Sequence, residues 1–348
     1  MGKNPLADIA AKINKEFGKG TALILGGGAD MRSEISDVIP TGIGVIDNYV
    51  IGVGGFPCGR IAEVYSEEGS GKTSILAAAL AGAQRREDGV AVLEETENAL
   101  QADRLAVFGV DRERLLVVQP DTLEETLEEM QIILENAPKG GGPMLIGWDS
   151  VAATPTRDEI EGGVAPEKGM DMRAKILSKA FRQIVPLAAE KRAAIVIINQ
   201  TREKIGVMFG DKTTTPGGKA IKFAASVRLQ LLGGKAVKRS DSHIGKDITV
   251  MASKNKMAPP WRKARVRLSY ANGWDDGWST LEFAKDLELV EQDARGTEAL
   301  KLAREKLAAC CWDPVKAQDL AIAGSGKKAA QEEEEEVADL PVAPEGGE

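Results

Sequence analysis

The chain of 348 residues is 43% hydrophobic and only 4% aromatic, and its 45 Lys and Arg against 53 Asp and Glu leave a formal charge of −8. That size suits one large α/β domain with appendages, or two domains. One His (His243) and three Cys (Cys58, Cys310, Cys311) exclude a His/Cys metal cluster, and also any Ser-His-Asp or Cys-His apparatus not resting on His243.

In chain order, Leu6, Ile9, Ala10, Ile13 and Phe17 share one helical face that Gly18 and Gly20 end, which predicts a short amphipathic docking arm. From Arg60 onward short apolar runs alternate with helical patterns. Strands are predicted at 61–66, 90–95, 115–119, 144–149 and 195–200. Thr122-x-x-Glu125 reads as a capping box for a helix striped by Leu123, Leu127, Met130 and Leu134. A long helix is predicted over about 169–190. Continuous apolar strands alternating with helices predict an α/β fold with a mostly parallel central sheet covered on both faces. Strands alone follow at 227–232, 248–253 and 264–270, then a small mixed α+β appendage over 271–323 ending in a helix through Leu300, Ala303, Leu307 and Cys310.

The charge is local. Residues 331–348 hold eight of the 53 acids and no base, leaving 45 acids against 45 bases elsewhere, so the tail is expected to be disordered and the remainder neutral. Adjacent Cys310 and Cys311 with one distant Cys make no disulfide framework, no apolar run approaches the ~18 residues of a bilayer span, and residues 1–5 open no signal core. A cytoplasmic protein without membrane contact is therefore expected. The expected division is an oligomerisation arm at 1–35, a core at 36–270, a small C-terminal domain at 271–323 and an acidic tail at 324–348.

The strongest chemical signal is Ser66-Glu67-Glu68-Gly69-Ser70-Gly71-Lys72-Thr73-Ser74, between a strand and a helix. A phosphate loop needs glycines so that backbone N–H groups can close round a phosphate, a Lys for the β- and γ-phosphates, and a hydroxyl for Mg²⁺. Ser66 stands in place of the pattern's first Gly. Asp149 ends an apolar strand where ligands bind in parallel sheets, and suits Mg²⁺ held directly or through water. Glu94, Glu95 and Glu97 follow the next strand, and spacing does not choose which of them would activate water. Residues 201–222 carry five bases against two acids, with Ile205, Val207, Met208 and Phe209 among them. Such a segment suits either a nucleic-acid strand or an active-site lid.

These motifs carry a family resemblance. Phe17-Gly18-Lys19-Gly20, Gly54-Gly55-Phe56-Pro57, the phosphate loop, Glu97-Asn98-Ala99-Leu100, Gln119-Pro120-Asp121-Thr122, Asp149-Ser150-Val151, the run from Asn199 to Gly210, and Lys254-Asn255-Lys256 resemble the bacterial RecA recombinases in order and spacing over about residues 6–270. The resemblance implies a RecA-type P-loop ATPase core using ATP and Mg²⁺. Ser66 to Ser74 would bind nucleotide, with Lys72 on the phosphates, Thr73 on Mg²⁺ and Asp149 behind the metal. Glu97 would polarise the attacking water and Gln200 would sense the γ-phosphate. Lys254 and Lys256 would reach ATP on a neighbouring subunit.

By the same resemblance, the first DNA loop lies around 161–172, followed by Arg173 and Arg182. The second contains Arg202, Lys204, Ile205, Gly206, Val207, Met208 and Phe209 and closes at Gly217 and Gly218. The implied partners are single-stranded DNA, homologous duplex DNA, further copies of the chain in a helical filament, and a LexA-type repressor in the DNA-damage response. Arg104 stands where the family stacks an aromatic on adenine, and Lys168 where it has an apolar wedge. The implied function is ATP-dependent homologous pairing and strand exchange in recombinational repair. A ring-forming DNA motor and a RecA-derived ATP- and DNA-binding regulator are the competing readings.

Overall fold

The structure, a computed structural model, describes residues 5–18, 20–24, 35, 37–99, 101–138, 140–162, 169–203 and 213–318. A nine-stranded sheet organises them, in the order Gly273–Asp275, Lys263–Ser269, Ser242–Asn255, Val227–Arg239, Ile61–Ser66, Ala193–Gln200, Met144–Asp149, Val90–Glu95 and Leu115–Val118. The last six pair in parallel. The first three extend the Val227–Arg239 edge in antiparallel fashion.

The apolar runs are continuous because both faces of the parallel part are covered, and alternate side chains serve different cores. Leu145, Val196 and Ile198 pack on one face with the helix Lys72–Gln84. Ile146, Trp148, Ile195 and Ile197 pack on the other with the helices Leu123–Glu135, Gly169–Lys191 and Gly218–Ala224. The strands at 61–66, 90–95 and 144–149 fall where the sequence puts them. The predicted strand 115–119 stops at Val118 and is the sheet's edge, so Leu116 and Val117 are exposed.

Two expectations change in detail. The strands predicted at 227–232 and 248–253 continue into a long hairpin, Val227–Arg239 with Ser242–Asn255. Its outer part is mostly exposed, so no apolar alternation marks it in the sequence. At the predicted capping box the Thr122 hydroxyl accepts from Glu125 N, but the Glu125 carboxylate accepts from Asp121 N, giving half a box. A complete box forms at Thr156 and Glu159.

Residues 5–17 form the predicted arm helix, with no buried residue and with Leu6, Ile9 and Phe17 exposed. In the 271–323 region, the strand Gly273–Asp275 joins the main sheet and the helices Asp276–Asp286 and Gly296–Ala309 follow. Phe283, Ala303, Leu307 and Cys310 bury in the same core as Ile75 and Leu229. Residues 319–348, including the acidic tail, lie outside the described residues. Among those described, no helix is long and apolar enough to cross a membrane.

Two substitutions test this packing. A Cβ on Gly82 would stand 1.9 Å from the carbonyl oxygen of Pro40, which is backbone and cannot give way cheaply. Gly82→Ala should therefore lower stability by about 1–3 kcal/mol or more in a denaturant titration, although Ala is the better helix former. Glu94 is fully buried on the face of Val92, and neither carboxylate oxygen has a partner. Burial, and then the charge of Glu129, hold its carboxyl well above the usual range. The folded chain keeps that proton while the unfolded chain releases it, so stability falls as pH rises above the ordinary carboxylate range. Glu94→Leu should raise the melting temperature, and by more at pH 8 than at pH 5.

Candidate nucleotide site

The parallel register brings the chemistry to one edge. Ser66 pairs directly with Gln200, and Glu95 pairs with Asp149, so four neighbouring strands end side by side. Ser66 belongs to its strand, and the left-handed backbone needed by the loop falls at Gly69 (φ 66°) and Gly71 (φ 93°). The missing first glycine thus costs no strained φ. After the turn, Gly71 starts the helix Lys72–Gln84.

Lys72 Nζ lies 2.8 Å from the Glu67 carbonyl, and the Ser70 hydroxyl 2.9 Å from the same oxygen. Burial pushes the Lys72 ammonium below the usual lysine range, against the pull of Asp149, Glu97 and Glu68. Thr73 Oγ1 donates to Asp149 Oδ2 at 2.7 Å. Asp149 Oδ1 is buried without a hydrogen-bond partner. An orphaned hard oxygen beside a hydroxyl fits a divalent cation such as Mg²⁺, held partly through water. A cleft runs from Thr73, Ser74, Glu97 and Asp149 to Gln101, Arg104 and Phe108, and Leu76, Leu80 and Leu93 also line it.

The geometry separates the three glutamates. Glu94 faces the opposite core. Glu95 is buried, and its oxygens accept from Ala99 N at 3.1 Å and Gln119 Nε2 at 3.2 Å. Glu97 is exposed in the cleft, with one oxygen accepting from the Ser150 hydroxyl at 2.6 Å. Glu97 alone among them offers an open carboxylate beside Thr73 and Asp149.

Other predicted residues stand apart from the cleft. Gln200 ends its strand half-buried, and Thr201 N donates to Ser66 O at 3.0 Å, so the following segment leaves bonded to the phosphate loop's first residue. Arg202 is exposed and pairs with Thr214, while Gly217 and Gly218 begin the helix that closes the segment. Lys254 Nζ donates to the Lys222 carbonyl at 2.5 Å, and burial, Lys256 and Arg228 lower its pKa. Arg182 is exposed on its helix. Arg173, in contrast, is turned inward, donating to Val151 O at 2.8 Å and to Glu159 at 2.9 Å. Glu67 and Glu68 are exposed on the loop. Lys168, Lys204, Ile205, Gly206, Val207, Met208 and Phe209 lie outside the described residues.

Sequence reasoning passed over two polar networks. Thr96, Ser150 and Thr154 form a hydroxyl cluster behind Glu97. Glu63, fully buried, pairs with Arg228 and accepts from Asn199 at 3.0 Å. A Glu in the middle of an apolar strand was the available signal for the second.

One pH dependence follows. Burial first, with Glu97 and Glu95 adding and with Thr73 and Lys72 opposing, raises the Asp149 carboxyl to about 6. Its cation-holding form is therefore lost as pH falls through about 6. Mg²⁺-dependent nucleotide binding should weaken across that range in a calorimetric titration, whereas Asp149→Asn should bind weakly at every pH.

Residues 4–275 match the family model described as the RecA N-terminal domain. Among curated relatives, the protein named Protein RecA from Thermus thermophilus is 40% identical over 291 residues, 83% of each chain. Protein RecA of Leifsonia xyli is 39% identical over 287 residues, 82% of this chain and 78% of that one. The Streptococcus pyogenes protein of the same name is 37% identical over 294 residues, 83% and 75% of the two chains. With a matched domain that spans most of its length and relatives at this identity, the chain belongs to the RecA family.

Proposed function

We propose that this chain is an ATP-dependent DNA recombinase, which forms helical filaments on single-stranded DNA and carries out homologous pairing and strand exchange in recombinational repair. The observation that carries this reading is the row of strand ends. There the Thr73 hydroxyl donates to Asp149, the exposed Glu97 lines the same cleft, and Gln200 pairs in register with Ser66. Family membership supports a DNA-dependent ATPase.

In this reading Lys72 and the loop N–H groups hold the ATP phosphates, and Arg104 covers the base. Thr73 and Asp149 would hold Mg²⁺, which when bound would supply charge neutralisation on the phosphates. Glu97 orients the attacking water and takes up its proton. Gln200 senses the γ-phosphate and passes its state into residues 201–217. ATP and DNA affinities are then reciprocally linked. Lys254 and Lys256 act on nucleotide held by the adjacent subunit, and the arm helix docks on that neighbour in an open head-to-tail assembly. DNA is bound by Arg182, Arg202 and the segment Lys204 to Phe209, and a LexA-type repressor is a further partner. For Arg173 the inward bonds favour a supporting role over a direct phosphate contact.

ATP turnover measured with and without single-stranded DNA, with electron microscopy of the same samples, tests the proposal. DNA-stimulated hydrolysis and helical filaments are expected, and Lys72→Ala should abolish turnover. Rings, or DNA binding without hydrolysis, would overturn it.

A further inference from the structure

Resting on the reading that Glu97 orients the attacking water, we infer that Ser150 is the positioning residue that sets the Glu97 carboxylate. Glu97 sits on an exposed turn after the strand Val90–Glu95, and a long side chain there loses rotamer entropy when it is fixed. A precisely oriented carboxylate therefore needs a rigid donor. Ser150 is fully buried, and its Oγ donates to Glu97 Oε1 at 2.6 Å; a carboxylate can only accept, so the direction is fixed. The length is that of a charge-assisted O–H···O bond.

The hydroxyl is itself held from behind. Ser150 N donates to Thr96 Oγ1 at 3.0 Å. Ser150 O accepts from the Thr96 hydroxyl at 3.0 Å and lies 2.8 Å from the Thr154 hydroxyl. Trp148 Nε1 donates to Thr154 Oγ1 at 3.2 Å from the buried core. Thr96 N donates to Asp149 O at 2.9 Å, which ties the glutamate's turn to the strand that ends at Asp149. On the far side of the turn, buried Glu95 grips Ala99 N. Glu97 thus stands between two clamped ends with one fixed donor on its carboxylate. Asp149 and the donor to Glu97 are then adjacent residues of the chain, which fixes the water-orienting group relative to Asp149.

Substituting Ser150 removes only the Oγ contact, because Thr96 and Thr154 hold its backbone. Ser150→Ala should lower kcat for DNA-stimulated ATP hydrolysis by roughly tenfold or more, the worth of one hydrogen bond to a charged group. KM for ATP and the melting temperature should stay at wild-type values. In a Glu97→Gln background the same substitution should leave the residual rate unchanged, since its effect passes through Glu97. An unchanged kcat in Ser150→Ala, an equal loss in both backgrounds, or a loss confined to KM and melting temperature would each overturn the inference. If Ser150→Ala does not fold, Ser150→Cys, slightly larger than Ser and only a weak donor, carries the same comparison. A Glu97→Gln enzyme with full kcat would instead refute the role of Glu97 itself, which keeps the two failures distinct.

Discussion

Everything at the candidate site depends on the coterminous ends of the parallel strands. Ser66 lies beside Gln200 and Glu95 beside Asp149, so the loop, the Asp149 carboxylate and the turn bearing Glu97 all leave the sheet at one edge. Strand alternation then does the sorting. Glu95 points to the face of the helix Lys72–Gln84 and lines the cleft, while Glu94, one residue earlier, is driven into the opposite core without a partner. A register slip of one residue would exchange their roles.

Much of this edge was legible before any coordinates. Buried parallel strands announce themselves as unbroken apolar runs, and those at 61–66, 90–95 and 144–149 did so with correct ends. The turn between strand and helix was marked by Gly69 and Gly71, which take left-handed backbone there. Less visible was whatever depends on a partner distant in sequence. The hairpin Val227–Arg239 with Ser242–Asn255 extends where most side chains are exposed, so no periodicity marks it. The edge position of Leu115–Val118 is a property of strand order, which an apolar run cannot encode. Among Glu94, Glu95 and Glu97, only side-chain direction distinguishes the open carboxylate, and family resemblance rather than spacing had selected it.

Ser66 illustrates how a motif can be broken without backbone strain. A glycine is required where the backbone turns left-handed or where a ligand approaches the main chain closely. Here the left-handed residues are Gly69 and Gly71, both retained, and Ser66 still lies within the strand. Its side chain bonds the neighbouring Glu67 carbonyl. The consensus glycine therefore owes nothing to backbone angle in this chain.

The Glu63 network suggests why the nucleotide edge and the loop exit would respond together. A fully buried carboxylate is costly unless its charge and lone pairs are met, and removing one partner of such a pair is strongly destabilising. Glu63 meets that requirement with Arg228 on one neighbouring strand and Asn199 on the other. Asn199 precedes Gln200 and also donates to the Pro216 carbonyl at 3.1 Å, just before the helix Gly218–Ala224. Arg228 pairs in register with Lys254, whose ammonium holds the end of that same helix. Both ends of the segment after Gln200 are thus fastened to one buried charge. Under the proposed assembly, a shift of Gln200 on sensing nucleotide would strain bonds that also fix Pro216 and, through Arg228, the lysine offered to the neighbouring subunit. Stiff, fully paired networks of this kind favour discrete alternatives over gradual deformation, which is what a switch between DNA-bound and released states requires.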